Sequence, residues 1–363
     1  MVCCRWQPEP QATTTMTDRR ILWGVLAVLC VLAGACAGGD GGATAPGPSV
    51  AAPSGAVSPG ATPAAPASGV LETTFPSGDL QLSGDLYLPE GPGPHPGVVL
   101  VHGSGPVDRD GTVPGQLGMT FPEPVTVFAD LAGDLRDAGY AVLTYDKRTC
   151  GPFNDCSDND YPQPPADLTV DAFVADAEAA LAHLGSRDEV DGGARAVIGH
   201  SQGASFVPAM LIDDPSLGAG VMLAAPFDPI DEIIMAQDAA TGRSVRALRS
   251  EDAADDTMIA GASVAFWRSW FRVGDGVPQL ATQVTRPLLV VGGELDANVP
   301  PAQLDRWEEL LGEGARVVEL DCVSHALNCL ATDDMSAIVP ADVGPTVASS
   351  VGETVVEFLD AAL

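Results

Sequence analysis

The segment ARAVIGHSQG, residues 194–203, decides how the rest of the chain is interpreted. It begins with an apolar run typical of a buried strand and ends in the pattern G-x-S-x-G, which precedes a predicted helix. Gly199 and Gly203 have no side chains, so they permit the tight turn that would expose the hydroxyl group of Ser201. We therefore predict that Ser201 is a nucleophile at the end of a buried strand.

A glycine-rich segment follows an earlier predicted strand. The apolar run GVVLVHG, residues 97–103, leads into HGSGP, residues 102–106. A tetrahedral intermediate formed at Ser201 needs two backbone N–H donors directed at its oxygen atom. We predict that Ser104 provides one donor and that Gln202, the residue after the nucleophile, provides the other. The alternative is a glycine-rich turn without this role.

An acid and a base are predicted farther along the chain, each in a loop that follows a strand. Asp296 follows the strand PLLVV in GGELDANVP, and His325 follows the strand ARVVEL in DCVSHALNC. Nε2 of His325 would accept the Ser201 proton, while Asp296 would hold the imidazole tautomer and stabilise its charge. Asp228, after the preceding strand, is the alternative acid. The competing interpretation of Asp296 is a turn or capping residue, because a helix follows it.

Predicted strands and helices alternate from Val70 onwards. An antiparallel hairpin is followed by six further strands with helices between them. Repeated βα units with apolar strands predict an α/β fold with a mostly parallel, doubly wound sheet. A helical stretch after the sixth strand, about residues 227–285, is expected to form a cap over the carboxyl ends of the strands. The folded domain is assigned to residues 70–363.

Two charged motifs carry a resemblance to a known family. They read HGSGPVDRDG at residues 102–111 and YDKRTCG at residues 145–151. In these motifs and in the G-x-S-x-G turn around Ser201, the chain resembles the α/β-hydrolase family of serine esterases. The resemblance is to a bacterial branch with the motifs HGSGPxDRD and YDKR. The resemblance covers essentially all of residues 70–363 and is weakest in the cap.

The resemblance implies the α/β-hydrolase fold and hydrolysis of a small-molecule carboxylic ester or thioester through an acyl-enzyme intermediate. Ser201, Asp296 and His325 would form the catalytic triad, with no metal ion and no organic cofactor. The charged residues of the two motifs are interpreted first as ion pairs that fix loops around the site and second as substrate contacts. They are Asp108, Arg109, Asp110, Asp146, Lys147 and Arg148.

Two other functions remain open at this stage. Related folds include prolyl aminopeptidases, so a serine aminopeptidase or amidase is the alternative enzyme. A non-catalytic binding lipoprotein is the alternative outside enzymes, although such proteins usually lack part of the triad. The aromatic segment SVAFWRSWF, residues 263–271, is interpreted as packing of the cap against the body, and lining of an acyl pocket is its alternative.

Composition limits the partners. Hydrophobic residues make up 46% of the 363 residues, which is enough for a sizeable core. The formal net charge is -32 at pH 7, so the surface repels phosphate backbones. We therefore expect no nucleic-acid partner.

The N-terminus is predicted to be a signal peptide, residues 1–35. Two arginines, at 19 and 20, precede the apolar run ILWGVLAVLCVLAGA at residues 21–35. This run is shorter than the ~20 residues that a spanning helix needs, and its flanks are typical of an export signal. A start at Met16 fits a signal peptide better than Met1, so residues 1–15 are candidates for a misassigned start.

The end of the apolar run predicts a membrane anchor. LAGAC resembles a bacterial lipobox, in which the cysteine, here Cys36, is lipidated. The alternative is an ordinary secretory signal cut near the same place. Residues 36–69, rich in Ala, Gly, Pro and Ser, would form a flexible linker. We expect an exported protein that is either a membrane lipoprotein facing outward or secreted.

Four cysteines lie in the predicted domain: Cys150, Cys156, Cys322 and Cys329. An even number in an exported domain indicates disulfides, and of three possible pairings the two local ones, 150–156 and 322–329, are favoured. A metal site made of Cys322, His325 and Cys329 would lack a fourth ligand. We predict instead that a 322–329 disulfide closes the loop that carries His325.

Overall fold

The computed structural model describes residues 69–113, 125–150, 167–334, 338 and 340–363, and in this part of the chain an eight-stranded sheet forms the centre. Its strands, numbered in chain order, are β1 Gly69–Ser77, β2 Leu80–Leu88, β3 His95–Val101, β4 Ala141–Tyr145, β5 Val190–His200, β6 Leu217–Leu223, β7 Leu288–Gly293 and β8 Arg316–Leu320. The predicted signal peptide and Cys36 lie outside the described residues, as does all of the predicted linker except Gly69.

The order of strands in the sheet is β1-β2-β4-β3-β5-β6-β7-β8. β2 pairs antiparallel with β1 and with β4, and every other neighbouring pair is parallel. Continuous apolar strands such as β3 are buried on both faces of this sheet, as parallel strands usually are. The predicted opening hairpin and the mostly parallel sheet are confirmed.

Helices cover both faces of the sheet. The α-helices of the described residues are α1 Val127–Asp137, α2 Val170–Gly185, α3 Val207–Asp213, α4 Ile230–Gln237, α5 Ala239–Ala247, α6 Val264–Gly274, α7 Val277–Ala281, α8 Pro301–Leu311 and α9 Ser349–Ala362. Alternate residues of β3 point to opposite faces, so Val98 packs in the core under α1 and α9, while Val99 packs in the core under α2, α3 and α8. The predicted doubly wound arrangement is confirmed.

The helical insertion after the sixth strand is also confirmed, because α4–α7 lie between β6 and β7. Its aromatic helix α6 buries Phe266, Trp267 and Phe271 in the same core cluster as residues of α2. The hydroxyl oxygen of Ser269 accepts a hydrogen bond from the backbone N–H of Val170 at 2.8 Å. The aromatic segment therefore packs the insertion against the body.

The structure differs from the sequence prediction in short elements. The helix predicted from Ser201 begins as a 3₁₀ helix, Ser201–Phe206, before α3, because apolar spacing does not separate the two helix types. Further 3₁₀ turns and two-stranded pairs were not predicted: Gly312–Gly314, Pro340–Asp342, Thr112–Val113 with Val125–Thr126, Met258–Ile259 with Ala262–Ser263, and Asn328–Leu330 with Val343–Val347. Within the described ranges, the helices are all too short or too polar to cross a bilayer.

The three cysteines that the structure describes in the domain are disulfide-bonded. Cys322 is bonded to Cys329. Cys150 is disulfide-bonded as well, and Cys156, its predicted partner, lies outside the described residues. Cys150 is buried in the segment that follows β4.

Candidate active site

Ser201 lies directly after β5, at the start of the 3₁₀ helix. Its backbone φ is 52°, a left-handed value that a residue with a side chain rarely adopts. A Cβ atom at Gly199 would lie 2.3 Å from the carbonyl oxygen of Gly203, and one at Gly203 would lie 2.3 Å from the carbonyl oxygen of Val101. The turn that presents the Ser201 hydroxyl therefore requires glycine at both flanks.

The three side chains predicted as a triad lie within hydrogen-bonding distance in series. Nε2 of His325 is 3.1 Å from Oγ of Ser201, and Nδ1 of His325 is 2.8 Å from Oδ2 of Asp296. Oδ1 of Asp296 accepts hydrogen bonds from the backbone N–H groups of Asn298 and Val299, both at 2.8 Å. A carboxylate held in this way accepts the Nδ1 proton of a neutral imidazole, so Nε2 can accept the proton of the serine hydroxyl.

The loops that carry Asp296 and His325 are joined to each other. They follow β7 and β8, which are neighbouring parallel strands, so both side chains reach the same edge of the sheet. The backbone N–H of Leu295 donates a hydrogen bond to the carbonyl oxygen of Val323 at 2.9 Å. Asp296 is buried, whereas the His325 side chain is 21% exposed, so His325 is the member of the pair that a ligand can reach.

A disulfide between Cys322 and Cys329 spans His325. The N–H of Leu330 also donates to the carbonyl oxygen of Cys322 at 2.8 Å, which closes the same loop through the backbone. Because both sulfur atoms are in the disulfide, the metal site considered for Cys322, His325 and Cys329 is wrong. In the described parts of the chain, no group of three or more His, Cys, Asp or Glu side chains is arranged to hold a metal ion.

His200, the residue before the nucleophile, contacts the backbone of the same loop. Its Nε2 donates a hydrogen bond to the carbonyl oxygen of His325 at 2.8 Å. Burial, with a smaller contribution from the charge of His325, lowers the pKa of His200 to about 4. His200 is therefore neutral at pH 7 and adds no positive charge next to His325. This contact joins residues 125 apart in the chain, so no local sequence pattern indicates it.

The two predicted oxyanion donors lie next to Ser201. A Cβ atom on Gly103 would lie 3.3 Å from Cβ of Ser201, so the segment after β3 passes against the nucleophile. Ser104 is exposed, and its N–H has no backbone acceptor among the described residues. Gln202 lies in the first turn of the 3₁₀ helix, where N–H groups have no acceptor within the helix. Both N–H groups can therefore donate to a ligand oxygen.

Arg109 joins the two charged motifs. Its backbone N–H donates to Oδ1 of Asp146 at 2.8 Å, its Nη2 donates to Oδ2 of Asp146 at 2.7 Å, and its Nη1 donates to Asp85 at 3.2 Å. Oδ1 of Asp108 accepts the backbone N–H of Thr112 at 2.8 Å. These contacts fit the first interpretation of the motifs, in which ion pairs fix the loops around the site.

Lys147 does not fit that interpretation. Its neighbour Arg148 makes a bidentate pair with Asp176, at 2.7 and 2.6 Å. Lys147 is 3% exposed and makes no ion pair within the part of the chain that the structure describes. Its Nζ donates instead to the carbonyl oxygen of Gly103 at 2.6 Å and to Oε1 of Gln202 at 2.9 Å. The sequence offered one signal for this difference, since Lys147 is the only lysine among 17 Lys and Arg residues.

Asp228, the alternative acid, is bound elsewhere. It pairs with Arg306, and its Oδ2 accepts a hydrogen bond from Nε2 of Gln303 at 2.7 Å. Nδ1 of His325 is already bonded to Asp296. The geometry therefore favours Asp296 as the partner of the histidine.

Comparisons with known proteins agree with this architecture. A sequence profile of the alpha/beta hydrolase family matches residues 98–341. The esterase EstD of Thermotoga maritima is 30% identical over 261 residues, which cover 68% of this chain and 58% of that protein. The chain thus spans less than two thirds of the length of this relative.

Solved structures show the same fold at low sequence identity. Est1E from Butyrivibrio proteoclasticus matches with a TM-score of 0.51 and 16% identity, covering 80% of this chain and 98% of that one. The alpha/beta hydrolase GrgF from Penicillium sp. sh18 matches with a TM-score of 0.53 and 17% identity, covering 81% of this chain and 98% of that one.

Proposed function

Because this chain belongs to the α/β-hydrolase family, we propose that it is a serine hydrolase that cleaves carboxylic esters or thioesters through an acyl-enzyme intermediate. The observation that carries the proposal is the series of contacts from Ser201 to His325 to Asp296, at 3.1 and 2.8 Å. The name of the 30% identical relative, an esterase, supports an ester rather than an amide as substrate.

Acylation begins at Ser201. Its Oγ attacks the ester carbonyl carbon while Nε2 of His325 accepts the hydroxyl proton. Asp296 keeps the Nδ1 proton in place and stabilises the imidazolium that forms. The tetrahedral intermediate then collapses as His325 gives its proton to the leaving alcohol or thiol, and the acyl group stays on Ser201.

The negative charge of the intermediate develops on the former carbonyl oxygen. The N–H groups of Ser104 and Gln202 would donate to this oxygen. Removal of one such donor lowers kcat by about 10²–10³-fold. In the second half of the reaction, His325 takes a proton from water, and the resulting hydroxide attacks the acyl carbon. The acid is released and Ser201 regains its proton.

The test compares two serines of the same 3₁₀ helix. We expect Ser201→Ala to abolish hydrolysis of short p-nitrophenyl esters and labelling by a fluorophosphonate probe, with the circular dichroism spectrum unchanged. Ser205, which is buried in the same 3₁₀ helix, is the matched control, and Ser205→Ala should keep both activities. Wild-type protein that neither turns over esters nor reacts with the probe would leave only the binding-protein alternative.

Ester and amide specificity needs a second measurement. Matched p-nitrophenyl ester, thioester and Xaa-Pro p-nitroanilide substrates should be compared by kcat/KM on one preparation. We expect turnover of the oxygen or sulfur esters to exceed that of the amide by several orders of magnitude. A preference for the Xaa-Pro amide would instead establish the aminopeptidase alternative on the same triad.

We also propose that the enzyme acts outside the cytoplasm on a lipid tether. The support is the apolar run at residues 21–35 with its preceding arginines, the LAGAC sequence that ends in Cys36, and two cysteines held in a disulfide, a bond typical of exported proteins. The linker up to Gly69 would separate the anchor from the domain.

Cys36→Ala tests the tether. In a bacterial expression host, we expect wild-type protein in the membrane fraction with a labelled fatty acid attached. The variant should lose the label and move to the soluble extracytoplasmic fraction. Equal release of both proteins would establish the ordinary secretory signal instead.

A further inference from the structure

The single lysine of this chain is buried behind the proposed oxyanion hole. Lys147 is 3% exposed, and its Nζ donates hydrogen bonds to the carbonyl oxygen of Gly103 at 2.6 Å and to Oε1 of Gln202 at 2.9 Å. The other 16 basic residues are arginines. The described arginines that pair with side chains mostly bind carboxylates, whereas Lys147 binds two neutral oxygen atoms.

The bond to Gly103 orients one of the proposed donors. The carbonyl group of Gly103 and the N–H of Ser104 belong to the same peptide unit, and in a planar trans peptide these groups point in opposite directions. With Lys147 on the carbonyl side, the N–H of Ser104 points away from the ammonium group. The ammonium group bound to the carbonyl oxygen also polarises the peptide unit, which makes the N–H of Ser104 a stronger donor.

Lys147 also binds the side chain of Gln202, the residue whose backbone N–H is the other proposed donor. Gln202 is 2% exposed, and its backbone N–H follows the nucleophile directly. Its side-chain oxygen is held by Lys147, so the same ammonium group is bonded to both residues that frame the hole. Two of the three N–H donors of the lysine are thereby used, and the ring of Phe173 lies 4.2 Å from Nζ.

The surroundings leave Lys147 as a weakly compensated charge. Asp176 on α2 is the nearby carboxylate, and it is shared with the bidentate Arg148. Burial lowers the pKa of His102, at the end of β3, to about 3 and raises the pKa of Tyr145 on β4 well above its usual value, so both are neutral. Burial likewise lowers the pKa of Lys147 to about 7, against the opposing influence of Asp176.

We propose that Lys147 is a positioning residue of the oxyanion hole: through the Gly103 carbonyl and the Gln202 side chain it aligns the two N–H donors, and its ammonium charge stabilises the tetrahedral intermediate. This inference rests on the proposed serine hydrolase function. A lysine that served packing alone would be replaceable by methionine without loss of rate, since the two side chains have similar length.

Because the chain has one lysine, its charge can be measured directly. The full chain, carrying a lysine-free purification tag and lysine labelled with ¹³C at Cε, gives one lysine resonance whose pH titration reports Lys147. The titration is repeated with an aryl boronic acid, which forms a tetrahedral anion on a reactive serine. We expect the pKa of Lys147 to rise by about one unit or more in this adduct, because the anion favours the ammonium form.

The outcomes of this experiment separate the two proposals. A tetrahedral ¹¹B signal that is absent from Ser201→Ala, together with an unchanged Lys147 titration, would overturn the role of Lys147 and leave the hydrolase proposal intact. If no tetrahedral ¹¹B signal forms in wild-type protein, the serine hydrolase proposal fails, and the role of Lys147 fails with it.

Kinetics provide the second readout. We expect Lys147→Met to lower kcat about 10²-fold with little change in KM, the size expected for disturbing an oxyanion donor. Arg195→Met is the matched control: Arg195 is also buried, it lies within β5 six residues before Ser201, and its guanidinium donates to the backbone carbonyl of Leu181 on α2 at 2.8 Å. This control should lose stability and keep kcat.

The pH profile distinguishes a positioning role from a structural one. Lys147 is charged below its pKa of about 7, so wild-type kcat should fall as the pH rises through this value. Lys147→Met should lack this fall. A methionine variant with wild-type kcat and pH profile would overturn the inference, and if the variant does not fold, the titration of the wild-type protein decides.

Discussion

Nε2 of His200 donates a hydrogen bond to the carbonyl oxygen of His325 at 2.8 Å, so the residue before the nucleophile holds the backbone of the proposed base. The low pKa of His200, about 4, keeps this ring neutral at pH 7. The turn at Ser201 and the His325 loop are thereby connected twice, through the side chains of Ser201 and His325 and through the bond from the His200 ring to the His325 backbone.

His200→Ala should slow the reaction without unfolding the protein. The loss of the hydrogen bond lets the His325 loop move, and a misplacement of about 1 Å can lower a rate by on the order of 10²-fold. We expect kcat and the rate of fluorophosphonate labelling to fall together by 10- to 100-fold. His183→Ala is the control, because His183 stacks on Phe75 and bonds to Thr73 away from the site. An unchanged labelling rate in His200→Ala would contradict the role given to this contact.

The disulfide should support activity more than folding. We expect Cys322→Ser with Cys329→Ser to lower the free energy of unfolding by about 2–3 kcal/mol, from the entropy of a short loop. Turnover at a temperature where the variant is still folded should fall by a larger fraction than the folded population, because His325 lies inside the released loop. Parallel losses of turnover and of circular dichroism signal would indicate a purely structural bond.

Gly199→Ala should disrupt the nucleophile turn. The added Cβ would lie 2.3 Å from the carbonyl oxygen of Gly203, so the backbone has to shift. We expect a loss of about 2–4 kcal/mol in chemical denaturation together with the loss of esterase activity. Gly133→Ala is the opposite case, since Gly133 lies within α1 with no atom within 4 Å of the added Cβ. This variant should gain about 0.5–1 kcal/mol and keep its activity.

Arg109→Met should destabilise the loop that precedes α1. Asp146 is 2% exposed and accepts three hydrogen bonds from Arg109, so the substitution is expected to lower the free energy of unfolding by about 3 kcal/mol. The backbone N–H bond remains in the variant. Arg136→Met is the control, because its partner Asp137 is 71% exposed, and the change should stay below about 1 kcal/mol. Similar losses in the two variants would argue against a special role for the buried pair.

Asp296→Asn and Asp228→Asn distinguish the two candidate acids. An asparagine at 296 offers the wrong hydrogen-bonding partner to Nδ1 of His325, and we expect kcat to fall about 10⁴-fold at neutral pH. Asp228 is bonded to Arg306 and Gln303, so its variant should keep kcat within about twofold and lose a small amount of stability. A large kcat loss in Asp228→Asn alone would reverse the assignment.

Much of the fold was predictable because its signals are local. The apolar runs of β3, β5 and β7 indicate strands buried on both faces, and the glycines around Ser201 indicate the turn after β5. The short pairs of strands escaped prediction. Met258–Ile259 and Ala262–Ser263, for example, contain too few residues to show a periodicity. The turn between them has a positive φ at Ala260, a residue type that does not indicate such a turn in the sequence.

The sequence by itself predicted the mostly parallel sheet and placed the candidate nucleophile, acids and base in loops after its strands. These follow from turn chemistry and from the spacing of apolar residues along one segment. Only the tertiary structure placed Asp296, and not Asp228, against His325, and only it brought Lys147 to Gly103 and His200 to the carbonyl of His325. Such contacts join segments 44 and 125 residues apart, so they depend on strand order and side-chain direction rather than on local pattern.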